Sequence, residues 1–379
     1  MKKLLYFLVY SVLLTTFFSC SSGKKALEQG DYYSSTIQAI ERLRKNTTHK
    51  KSREVLRQSY PLAKKYYLDR IAIQKTSSNP FKNVEIYNSY LKLNHLYDEI
   101  MRSPGALRVA PNPSNYTAEA RQYRELAAQE YYDAGMHELN LNNRESAKRA
   151  YEHFASANQI VTGFKDVNAR MNEALDIATL KVVVDQVPVP TVNYQLSVQF
   201  FQDQVDKFLF NYDENRYLRF FSPNDQSLQY ADQILVVQFD DFTVGNTNNF
   251  KATKELTKDS VVVGSVTIRE GVERDVYGTV RAEYTEYTKE VVSRGMVSMR
   301  ILDARTEQVL LHEKFPGEFR WVSKWASFNG DERALTDEKL NYTKLEPVNP
   351  PPPQDLFVEF CKPIYSQMTQ KIRAYYRNI

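Results

Sequence analysis

The chain has 379 residues, 42% of them hydrophobic and 25% charged, which is enough for two or three ordered domains and unlike a disordered chain. The formal net charge is +4, with Lys2 and Lys3 contributing two of the positive charges, and so weak a balance argues against a nucleic-acid partner. Tyrosine (26) and phenylalanine (20) are abundant and glycine (12) is scarce, a composition suited to helix seams and interfaces where a ring is buried and a hydroxyl stays wet.

The first predicted element is a secretory signal. Lys2 and Lys3 form a positive start, and residues 4–18 carry no charge; Leu4, Leu5, Leu8, Val12, Leu13, Leu14, Phe17 and Phe18 make a short apolar run. A permanent bilayer helix needs ~20 apolar residues, so this run fits a removable signal over 1–19. It ends at Phe17-Phe18-Ser19-Cys20, which resembles the lipobox of bacterial lipoproteins, with Phe17 where Leu is usual. The resemblance implies that Cys20 is acylated, begins the mature chain and anchors it to a membrane. Residues 20–25 resemble the flexible tether of such proteins. They lack the acidic run that resembles a surface-export signal of Bacteroidota lipoproteins, and the Asp after cysteine that retains some lipoproteins in the inner membrane. The resemblance therefore implies the periplasmic face of an outer membrane. With Cys20 acylated, Cys361 has no intrachain partner and is expected to be a buried thiol on the apolar face of a C-terminal helix.

Helical spacing follows to about residue 179, and a helical domain is expected over 26–186. Leu27, Tyr33, Ile37, Ile40 and Leu43 step by threes and fours, and so do Val55, Leu56, Tyr60, Ala63, Tyr67 and Ile71. Pro61 should start or kink a helix. Tyr87, Tyr90, Leu91, Leu96, Tyr97 and Ile100 form another stripe, ended by Ser103-Pro104-Gly105. Further helices are expected over 118–139, 145–160 and 167–179.

Gly30-Asp31-Tyr32-Tyr33 resembles the turn inside a tetratricopeptide repeat, and Gly135, Ala147 and Tyr151 resemble that family's small, small and aromatic positions. Phe154 stands where the family often has Ala. The resemblance implies a solenoid with a concave partner-binding side. Arg124, Tyr131, Asn140 and Asn143 are candidate groove residues, each also open to an ordinary packing or solvated role.

Val187-Pro188-Val189-Pro190 marks a linker over 187–192, because alternating prolines suit neither helix nor central strand. An α/β domain is expected over 193–379. A helix fits Val198, Phe201, Val205, Phe208 and Leu209; strands fit residues 234–239, 261–268, 280–287, 295–302 and 309–315. The turn over 303–307 resembles a hairpin of periplasmic lipoproteins of the curli-secretion and TolB N-terminal type. Trp321, Trp325 and Arg333 are candidate partner-binding residues, since Trp and Arg are common anchors; the plainer expectation is tryptophans packed over the sheet and Arg333 paired with an acid. Prolines 350–353 deliver a final amphipathic helix over about 355–377.

No metal-binding, nucleophile-elbow or phosphate-loop motif is present, and the five histidines are scattered. Asp240 and Asp241 should point to opposite faces of a strand and so fail as a catalytic pair. The expected fold class is α+β and multidomain: a tetratricopeptide-like helical solenoid, then an α/β sandwich-like domain with a C-terminal helix. The chain as a whole resembles Bacteroidota-type outer-membrane lipoproteins with a tetratricopeptide-like front half. The expected function is a non-enzymatic adaptor or scaffold in cell-envelope assembly or secretion. It is bound to the membrane through lipid on Cys20 and to envelope proteins through the helical half, with no cofactor, metal or nucleic acid. The alternatives are a subunit of a curli-type secretion apparatus and, less favoured, an envelope glycan or cell-wall enzyme.

Overall fold

The computed structural model describes residues 22–186 and 195–377. The expected signal over 1–19, Cys20 and the proline linker over 187–192 lie outside the described residues. The fold is α+β, and the chain divides into two compact units between Ala178 and Thr179. That boundary corrects the expected domain edge at residue 186. Leu180–Gln186 is a strand of the second unit, where Leu180, Val182 and Val184 bury one face against the sheet's helices.

The first unit is helical: α1 (Lys24–Glu28), α2 (Tyr32–Lys45), α3 (Lys50–Lys75), α4 (Lys82–Met101), α5 (Pro104–Leu107), α6 (Thr117–Asn140), α7 (Arg144–Ile160) and α8 (Val167–Ala178). Side chains satisfy the free N–H groups at several helix starts. Asp31 accepts from the Ser34 N–H at 3.0 Å and Asn143 from the Ser146 N–H at 3.0 Å. His49 Nδ1 caps α3 through the Ser52 N–H at 3.3 Å. Pro61 does not start a helix; it lies inside α3, which runs on through it.

Helix packs on helix in the order α2, α3, α4, α6, α7, α8. One core joins Ala39, Ile40 and Leu43 of α2 to Val55 and Leu56 of α3 and Ile100 of α4. Another joins Leu139 of α6 to Ala150, Phe154 and Ala157 of α7. The fully buried Phe154 ring lies where a Cβ on Gly135 would sit, 2.7–2.9 Å away, so the glycine is what lets α6 and α7 close on a large side chain. Of the residues expected to form a tether, 22–25 are described and belong to the fold: Gly23 is buried and α1 begins at Lys24.

The second unit holds β1 (Leu180–Gln186), α9 (Gln195–Phe210), β2 (Leu218–Phe221), β3 (Gln233–Arg269), β4 (Val272–Asp303), β5 (Val309–Gly330), a 3-10 turn (Glu332–Ala334), α10 (Asp337–Thr343) and α11 (Pro353–Tyr376). The strands order as β2-β1-β3-β4-β5, with β1 parallel to both its neighbours and the rest antiparallel. Helices α9 and α11 cover one face of this sheet. Val198, Phe201, Val205 and Leu209 of α9 and Phe357, Phe360, Ile364, Met368 and Ile372 of α11 meet Val182, Leu235, Val237, Val297, Met299 and Ile301. Among the described residues there is one sheet and no second sheet packs on it, so the sandwich-like expectation is corrected to helices layered on a single sheet.

Two glycines seat α11. Gly295 and Gly317 are register partners on β4 and β5. A Cβ on Gly295 would meet the Phe360 ring at 2.6 Å, and one on Gly317 would meet the Phe360 carbonyl oxygen and the Ile364 side chain. Cys361 is buried in the same core and forms no disulfide among the described residues; burial pushes its thiol pKa far up.

The strands differ from expectation in length. The runs expected at 234–239 and 261–268 belong to one 37-residue strand, β3, and β4 has 32 residues. Their intervening residues, such as Asn246, Asn248, Lys251 and Glu255, are exposed, so no apolar alternation betrays them. Residues 309–315 likewise extend into β5 through Pro316 and Gly317; β5 is an edge strand, where a missing N–H is tolerated.

Candidate partner-binding groove

Helices α2, α3 and α4 of the first unit frame a groove of about 700 Å³, and α4, α6 and α7 frame a smaller depression of about 290 Å³ that adjoins it. Tyr33 of α2, Tyr67 and Arg70 of α3, and Asn88, Lys92 and His95 of α4 line the larger part. Tyr131 of α6 and Gln159 of α7 line the smaller. Asn88 and Leu91 belong to both, so α4 is the shared floor. Leu91 is 43% exposed there, an apolar side chain offered to the opening.

The aromatic wall is held in place by its own contacts. Tyr33 and Tyr67 meet edge to face at 5.9 Å, and Tyr66 meets Tyr67 the same way at 5.2 Å. The Tyr33 hydroxyl and His95 Nδ1 hydrogen-bond at 2.8 Å. Lys92 Nζ stands 4.7 Å from the centre of the Tyr33 ring and makes no ion pair among the described residues. Arg70 pairs with Glu85 across α3 and α4. Burial raises the Tyr33 phenol pKa, with Glu99 adding to it, so the hydroxyl remains a neutral hydrogen-bonding group. The set offers stacking surfaces, the amides of Asn88 and Gln159, the Lys92 cation beside the ion-paired Arg70, and the apolar Leu91.

Of the candidate residues, Tyr131 alone lines this groove. Its ring packs on Phe81 at 5.2 Å and His153 at 6.1 Å. Burial lowers the His153 pKa, with Glu138 opposing and Arg149 reinforcing the shift. Arg124 instead donates from Nε to the Ile160 carbonyl oxygen at 2.9 Å, closing the end of α7. Asn143 is a helix cap.

Trp321 and Trp325 lie on β5, not in a loop, and both are half-buried. Trp325 stacks on Tyr287 at 5.5 Å with an interplanar angle of 8°. Arg333 is engaged: it holds Asp331 at 2.6 Å and donates to the Val262 carbonyl oxygen at 2.6 Å, tying the 3-10 turn to β3. Asp331 is correspondingly held down to about 2 by the Arg333 guanidinium. These contacts give Trp325 a packing role and Arg333 a bracing one.

A second cavity, about 620 Å³, corrects one expectation. A bulge between Phe239 and Asp241 breaks the alternation of β3. Asp240 thereby reaches Ser298 Oγ at 2.6 Å and Lys314 Nζ at 2.8 Å, while Asp241 sits opposite Met296 on that same face; both aspartates line the cavity with Arg294 and Glu318. Burial raises the Asp240 pKa, but Lys314 and Ser298 outweigh it and keep the carboxyl below its ordinary value. It is an ion-paired acceptor and not a raised, proton-donating acid.

The groove residues missed in the sequence were Tyr33, Tyr67, Asn88, Leu91, Lys92 and His95. Tyr33, Tyr67 and Leu91 stood in the helical stripes, but the convergence of all six depends on how three helices pack. Among the described residues, no helix is long and apolar enough to cross a membrane and no cluster of His, Cys, Asp or Glu could hold a metal ion. No protein-family model and no curated protein matches the chain.

Proposed function

We propose that this protein is a lipid-anchored, non-enzymatic adaptor of the cell envelope. Acylated Cys20 fixes it to the periplasmic face of an outer membrane, and the helical unit holds a partner in envelope assembly or secretion. The observation that carries the reading is the groove over α4, where aromatic rings, Asn88, Lys92 and exposed Leu91 face one opening. An extended peptide needs such a combination: rings and Leu91 for side chains, an amide for the backbone. We read α2 with α3, and α6 with α7, as degenerate tetratricopeptide-like pairs; the Gly135–Phe154 contact supports the second. A photo-reactive benzophenone amino acid at Leu91 should capture a discrete envelope protein in cells, and one at exposed Leu141 should not. Equal capture at both positions, or a lone monomer at both, would contradict the adaptor role.

A second reading, a subunit of a secretion pore, is favoured by one observation. At the tip of the β3–β4 hairpin, Val263, Val266, Val272 and Val276 share a face and are 39–53% exposed. Residues 261–269 approach the ~9–11 residues of a membrane-spanning strand. Arg274 shares that face through its partner Val266, which opposes insertion. Ring-shaped particles in electron micrographs of detergent-extracted protein would favour this reading over the adaptor; a monomer there would remove it.

A further inference from the structure

The start of the helical unit leaves little slack between the anchor and the fold. Gly23 is held at a φ of +81°, and an added Cβ would run into the Ser35 carbonyl oxygen and lie 3.2 Å from Val55 Cγ1. Ser35 Oγ also donates to the Gly23 carbonyl oxygen at 2.9 Å. Helix α1 starts on the next residue and rests on both α2 and α3. An extended chain advances ~3.3–3.6 Å per residue, so Cys20 can lie no more than about 11 Å from Gly23. A lipid on Cys20 must therefore bring the surface around Gly23, Ser35 and Val55 down to the headgroups.

That surface is basic. The first turn of α3, leading into Val55, carries Lys50, Lys51 and Arg53 and no acid. All three are exposed and none makes an ion pair among the described residues. Lys24 and Lys25 follow directly on Gly23; Lys25 is likewise unpaired, and Lys24 reaches only Glu28 on its own helix, at 3.5 Å. Cations at a helix N-terminus oppose the helix dipole, so these residues do not serve α3 itself. Local preferences are broken in this way where a surface has another task.

We propose that the helical unit docks on an anionic phospholipid surface through Lys24, Lys25, Lys50, Lys51 and Arg53, with acylated Cys20 as its short anchor. The inference rests on acylation of Cys20. The anchor's reach selects lipid over an acidic protein, because it keeps the start of the fold within about 11 Å of Cys20, close to the Debye length of ~8–10 Å, where the headgroup attraction is only partly screened.

Two experiments test it. In acylated protein on phosphatidylglycerol-containing vesicles, a nitroxide is attached at Lys51→Cys or, separately, at Arg121→Cys, an exposed position on α6; Cys361 is buried and leaves each label alone. The label at 51 should be shielded from a water-soluble nickel relaxant and the label at 121 should not. Equal accessibility with acylation confirmed by mass spectrometry would overturn the docking face alone, whereas absence of the acyl mass would overturn the lipoprotein reading beneath it. The unanchored Cys20→Ser chain should sediment with phosphatidylglycerol vesicles, release in high salt, and ignore phosphatidylcholine vesicles. The triple variant Lys50→Glu/Lys51→Glu/Arg53→Glu, with circular dichroism unchanged, should bind at least tenfold more weakly. Binding as strong as that of the parent would contradict the proposal.

Discussion

The two units solve the same packing problem with opposite sequence signatures. In the helical unit, Gly135 yields space to one large ring, Phe154, and both lie on helices whose buried stripes recur every three or four residues. In the sheet unit, Gly295 and Gly317 yield space to Phe360 and Ile364, but one of those glycines follows a proline and looks like the end of a strand. Periodicity reports an element only where one face is buried and the other is wet. Every long helix of the first unit meets that condition. The β3–β4 ribbon meets it near α11 and loses it over residues 246–260, where both faces are largely exposed.

The comparison can be broken by the two rings that define it. Phe154→Ala and Phe360→Ala each empty a fully buried site and should cost about 3–5 kcal/mol. Chemical unfolding followed separately in each unit should show Phe154→Ala acting on the helical transition and Phe360→Ala on the other. Loss of both transitions together in either variant would show that the units are not separate cores. Gly317→Ala should follow at about 1–3 kcal/mol, since its Cβ meets the backbone of α11 and cannot be relieved by a rotamer change. An unchanged midpoint for this variant would mean that α11 is not seated on the glycine pair.

Smaller effects sharpen the helical side. Asn143→Ala should cost about 1 kcal/mol by removing the cap on α7, with the sheet unit unaffected. His153 should give the slightest effect. Burial lowers its pKa, so the unfolded chain binds a proton more readily than the folded one. Its contribution is complete above its ordinary value of about 6.5 and is lost as pH falls through the lowered one. Melting temperatures of the helical unit measured from pH 7.5 to 5 should therefore decline more in the parent than in His153→Phe, which keeps a ring against Phe81 and Tyr131.

Much of the architecture was legible because burial writes itself into spacing. The helices over 118–139 and 145–160 were expected almost to the residue, and so was the apolar face of α11 with Cys361 on it. The domain edge was misplaced because Leu180–Gln186 is short and follows a helix without a glycine or proline break. The groove was legible only in Tyr131. Tyr33, Tyr67 and His95 are separated widely in sequence, and only the packing of α2, α3 and α4 unites them. Arg124 and Arg333 were plausible anchors by residue type, yet each is occupied by a backbone carbonyl that no local pattern announces. Asp240 escaped for a different reason: one bulge suspends the alternation on which its exclusion from a shared face rested.

The central claim is that this groove works at a membrane because Cys20 carries lipid. The most direct test is mass spectrometry of the mature N-terminal peptide, paired with fractionation of Cys20→Ser cells in a high-salt wash. The account predicts a peptide that begins at Cys20 and bears acyl chains, and a variant released to the soluble fraction. An N-terminal peptide with an unmodified cysteine, or a variant still held on the membrane in high salt, would contradict it.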